Sequence, residues 1–98
     1  MKNQIYERII KHYGNNPQLD KLEEELTELL LAVKHYRKGK LSIAELTSEL
    51  VDCDIMIEQA RMIFAIDDET YYRAKRYKKE RTLKRIASNG IEVSEDIA

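Results

Sequence analysis

The sequence predicts an all-α protein, an antiparallel four-helix bundle that packs into an oligomer. Three observations predict it. One proline and three glycines in 98 residues leave long stretches in which a helix need not break. Apolar residues recur at alternating spacings of 3 and 4 through both central segments, which is the period of a helix face. Those two segments are joined by "KGKLS", a turn short enough to make them antiparallel neighbours.

The elements follow in order. "IYERIIKHYG" puts Ile5, Ile9 and Tyr13 on one face of a first helix, with Gly14 as its stop. "NNPQ" reads as a loop, and Asp20 with Glu23 three residues later reads as a capping box opening the second helix. Its expected seam is Leu19, Leu22, Leu26, Leu29, Val33 and Tyr36, running to about Arg37. Ser42 with Glu45 is a second capping box. The third seam is Ile43, Leu46, Leu50, Cys53, Ile57, Ala60 and Phe64, with the helix reaching about Ile66. "DDET" starts a fourth helix that should stop at "SNG", with Gly90 as its C′ residue. A single helical domain is expected over 1–89, followed by a flexible tail over 90–98. Leu31, Val51, Ile55, Met62 and Ile66 lie off the seams, so burial in a homodimer or homotetramer is expected unless the first helix covers them.

Composition narrows the function. No apolar run approaches the ~20 residues that span a bilayer, and "MKNQIYERII" lacks a signal-peptide core. The single Cys53 forms no internal disulfide, and no Cys/His cluster suits zinc. A soluble, cytoplasmic protein without a membrane partner is expected. Net charge is only −1, but its distribution is uneven. Residues 20–69 carry thirteen acids against six bases, whereas "RAKRYKKERTLKR" (73–85) carries eight bases against one acid.

Two pairs of acids stand out. Glu25 and Glu28 in "LEEELTEL" align with Glu49 and Asp52 in "LTSELVDC" at an offset of 24 residues. In an antiparallel hairpin equal offsets put both pairs on one face, on a stripe about 100° around from each seam. Their i+4 neighbours are Leu29, Ala32, Cys53 and Met56, so local cations are nearly absent; Lys21 is the exception. Four clustered carboxylates need neutralising, and an all-oxygen donor set suits Mg²⁺, or Mn²⁺, over zinc. Glu25, Glu28, Glu49 and Asp52 are therefore the candidate metal ligands. Lys78, Arg81 and Arg85 form one stripe of the fourth helix and are candidates to bind phosphates. Such a pocket fits a nucleotide better than a nucleic acid, whose backbone an acidic cluster would repel. His12 and His35 are isolated, and Asp54, Glu58 and Arg61 read as a local ion-pair set.

In this order the motifs resemble a known family, the all-α nucleoside triphosphate pyrophosphohydrolases that include MazG and the dimeric dUTPases. Their E-x-x-E and E-x-x-D signatures are similar to "ELTE" and "ELVD", within "YGNNPQLDKLEEELTEL", "SELVDCDIM" and "YKKERTLKR". The small phage and Firmicute-type members look closest, and the match spans roughly residues 5–86. Ser48 stands where members often carry a further acid. The resemblance implies a MazG-like bundle that hydrolyses a nucleoside triphosphate to the monophosphate and pyrophosphate. Glu25, Glu28, Glu49 and Asp52 would then hold Mg²⁺, Glu24 or Glu28 would be the general base, and Lys78, Arg81 and Arg85 would bind the phosphate chain. Control of nucleotide pools or housecleaning is the implied role. A non-catalytic nucleotide-sensing or protein-interaction module is the alternative.

Overall fold

A glycine, a serine and an aspartate divide the chain into its helices. The computed structural model describes residues 4–89. Among them are four helices and no strand: α1 (Gln4–Tyr13), α2 (Asn15–Arg37), α3 (Ile43–Ile63) and α4 (Asp68–Asn89). The all-α class follows directly. Gly90 and the tail over 90–98, for which a C′ role and flexibility are expected, lie outside the described residues.

Gly14 makes the first break. Its N–H donates to the Ile10 carbonyl at 2.7 Å, and its φ of 94° lies in the left-handed region that glycine tolerates best. The next helix starts at once, so "NNPQ" is its first turn and not a loop. Pro17 fits there because the early amides of a helix have no intrahelical acceptor, so its missing N–H costs nothing. Asp20 consequently sits inside α2 and is not its cap. The second break behaves as the sequence predicts. Ser42 Oγ accepts from the Glu45 N–H and Glu45 Oε1 accepts from the Ser42 N–H, both at 3.0 Å. These bonds hold the Glu45 carboxyl below its ordinary range. The third helix stops at Ile63, short of Ile66, and Ala65 follows at a φ of 56°. Asp67 Oδ1 then accepts from the Thr70 N–H at 2.7 Å and opens α4.

The chain forms two compact units, Met1–Ala65 with α1 to α3 and Ile66–Ala98 with α4. In the first, the α2–α3 hairpin is the main contact and α1 leans on both helices. Tyr6 of α1 donates its hydroxyl to Glu58 of α3; burial, this bond and the Glu58 and Asp54 charges push the phenol up. The buried stripe of α2 is Gln18, Glu25 and Ala32, with Leu22 and Leu29 half-buried between them. It lies one position back from the expected seam, whose Leu26, Val33 and Tyr36 are exposed. The reason is physical: a helix apolar on several sides offers several stripes of the same period, and the partner selects one. On α3 the buried residues are Cys53, Met56 and Gln59.

The apolar interior is small. Ala32, Cys53 and Met56 are its buried members, while Leu30, Leu31, Leu50, Val51 and Phe64 stay exposed with α1 in place. Among the described residues no helix is long and apolar enough to cross a membrane.

Candidate metal centre

The turn over 38–41 brings α2 and α3 back to back, and three acids meet across the hairpin. One carboxylate oxygen from each of Glu25, Glu49 and Asp52 lies within 4.8 Å of the others. Glu25 is only 6% exposed, so it belongs to the α2–α3 seam and not to a stripe beside it. That is the consequence of the one-position shift in the buried stripe. A thiol pins the hairpin at the same level: Cys53 Sγ donates to the Glu25 carbonyl at 3.1 Å. Burial, then the surrounding acids with Glu25 foremost, push that thiol up and keep it protonated.

The polar atoms here are poorly satisfied. Glu25 Oε1 and Glu49 Oε1 are buried and accept no hydrogen bond. The other Glu25 oxygen lies 3.3 Å from Lys21 Nζ, whose side chain is half in solvent and whose ammonium is held above its ordinary range, chiefly by this contact. Partial desolvation, then Glu28, Asp52 and Glu25, raise the carboxyl of Glu49. A buried acceptor without a donor costs free energy, and like charges at this spacing add to it.

Glu28, the fourth expected ligand, sits outside the triad. It is exposed at the rim, close enough for its charge to act on Glu49. It borders an open pocket of about 340 Å³ that Ala32, His35, Ser48 and Glu49 also line. Glu24 is on the outer side of α2, 3.8 Å from Lys21 and not part of the triad. Lys78, Arg81 and Arg85 are exposed on α4, where Arg81 lies 5.8 Å from the centre of the Tyr77 ring.

Three further polar residues take places that the sequence reading did not give them. His35, expected to be isolated, reaches the same pocket wall seven residues after Glu28. Gln18 and Gln59 are buried and bonded to each other, Nε2 to Oε1, at 2.7 Å. Gln18 precedes Glu25 by seven residues and Gln59 follows Asp52 by seven, a two-turn spacing that places them on the stripes of the acids. That spacing was the available signal.

Comparison with family models, with curated proteins and with solved structures finds no match.

Proposed function

We propose that the chain is a Mg²⁺-dependent nucleoside triphosphate pyrophosphohydrolase, a cytoplasmic homo-oligomer acting on nucleotide pools. The observation that carries this reading is the triad of one buried and two half-buried acids, with two orphaned carboxylate oxygens. Its donor set fits a hard divalent cation: it is all oxygen, it is anionic, and two of its atoms lack partners. Glu25, Glu49 and Asp52 would hold the ion, with Glu28 adjacent to complete the set. When bound, the ion would neutralise phosphate oxygens and make water easier to deprotonate.

The chain's own residues do the rest. Glu28, exposed and beside the triad, can accept a proton from water; Glu24, on the outer face, is the weaker candidate. The pocket beside Glu49 has the volume of a small-ligand site, and Ser48 and His35 line it together with Glu28 and Glu45. Lys78, Arg81 and Arg85 would offset the charge of the phosphate chain. The exposed leucines of α2 and α3 support burial in an oligomer.

A second reading, a non-catalytic nucleotide sensor or interaction module, is favoured by Ser48 at the position of a supporting acid. Incubation with Mg²⁺ and a panel of nucleoside triphosphates, with product analysis by ion exchange, separates them. The expected products are monophosphate and pyrophosphate, with turnover falling ~10²-fold or more in Glu49→Gln. Diphosphate and phosphate would overturn the cleavage position. No turnover, with Mg²⁺ still raising the melting temperature, would favour the sensor; neither effect would favour the interaction module.

A further inference from the structure

The outer faces of α2 and α4 carry stripes of the same spacing and opposite charge. On α2 the stripe is Asp20, Glu24, Thr27 and Leu31, with Glu23 alongside. On α4 it is Tyr72, Arg76, Lys79 and Leu83, with Lys75 alongside. Both advance by 4, 3 and 4 residues, so each is one continuous face about 17 Å long. All these residues are exposed, including the leucines, Leu31 at 48% and Leu83 at 65%. The acidic stripe and Glu28 border an open hollow of about 480 Å³, and Tyr72, Lys75, Arg76, Lys79 and the acid Glu80 border one of about 370 Å³.

Glu24 lies 3.8 Å from Lys21, and the other charges of the two stripes are unpaired. Among the described residues Asp20 and Glu23 make no ion pair, and neither do Arg76 and Lys79. Lys75 rests 5.7 Å from the centre of the Tyr72 ring and has no acid. Each charged face ends in an exposed leucine, Leu31 on the acidic one and Leu83 on the basic one. Like charges spaced 3 and 4 apart also repel within each helix. Apposing the two stripes removes both problems together.

We infer that the α4 stripe of one copy docks on the α2 stripe of a second copy, with the contact repeated so that each copy offers both faces. A second copy is favoured over a nucleic acid because a polyanion would answer only the basic stripe and leave the acidic one and Leu31 as they are. The inference rests on self-association but not on the metal, and its test reads association and not turnover.

The test uses the full chain in sedimentation velocity with two charge reversals. One variant carries Asp20→Lys with Glu23→Lys, the other Lys75→Glu with Lys79→Glu. Wild type should associate, each variant alone should associate ~10²-fold more weakly, and an equimolar mixture should regain the wild-type assembly. Circular dichroism checks that each variant is helical. Should a reversal fail to fold, Lys75→Gln with Lys79→Gln, which keeps helix propensity, should still weaken association. A monomeric wild type overturns the inference, as does a variant, reversed or neutralised, that associates normally. Variants that lose association without rescue on mixing overturn it too, in favour of a contact within one chain. Wild-type monomer that binds a single-stranded oligonucleotide through Lys75 and Lys79 overturns it in favour of nucleic acid.

Discussion

Two polar sites share the α2–α3 interface and are handled in opposite ways. Gln18 and Gln59 are 8% and 2% exposed, and each amide finds the other at 2.7 Å. The remaining Gln59 donor points at Met56 Sδ, 3.8 Å away. The pair is neutral and one amide donates to the other, so burying it is cheap, and it favours one register of the hairpin. Two turns along, Glu25, Glu49 and Asp52 are of one sign, and two of their oxygens have no donor. The amides meet a partner within the folded chain, whereas two of the acids' buried oxygens meet none.

The comparison can be broken from the amide side first. Gln59→Ala leaves the Gln18 amide buried and unpaired, and should cost about 1–3 kcal/mol in urea unfolding. The double replacement Gln18→Met with Gln59→Met should cost much less, because neither polar group is then orphaned. Equal costs for the two would mean the amides act only through packing. On the acid side the sign reverses. Without metal, Asp52→Asn removes one of three like charges and should raise the melting midpoint by ~4–8 °C, on the order of 1 kcal/mol for a chain of this size. Mg²⁺ should stabilise wild type and not this variant. A lower midpoint for Asp52→Asn, with no Mg²⁺ effect on either, would place the triad in the same class as the amides. The smallest effect belongs to Lys21→Met. Lys21 lies 3.3 Å from Glu25, but its side chain is 53% exposed and water screens the pair. Its melting curve should move least of the three, with Mg²⁺ stabilisation retained. A loss as large as that of Gln59→Ala would identify Lys21 as the neutralising group and leave the metal unnecessary.

Legibility followed the range of the forces involved. The Ser42–Glu45 box and the start of α4 were readable because a cap is made by residues three apart. The same motif at Asp20 and Glu23 misled, because Gly14 and Pro17 upstream allow the helix to start earlier. The order of Glu25, Glu28, Glu49 and Asp52 was readable, and so was the meeting of Glu25, Glu49 and Asp52 across a short turn, with Glu28 left at the rim. Which of them is buried was not. That depends on the stripe α3 selects, and Leu22 and Leu29 belong to both the expected stripe and the observed one. Gln18 lay within a motif and Gln59 outside one, and neither was assigned a place in the core, because only its partner makes a glutamine interior.

The bond from Cys53 to the Glu25 carbonyl has a practical corollary. This is the single thiol of the chain, 3% exposed, and its reaction with an alkylating reagent requires the hairpin to open. The rate at which it is labelled therefore times the opening of α2 from α3 at the level of the acids. The protein carries its own clock for the motion that uncovers the triad.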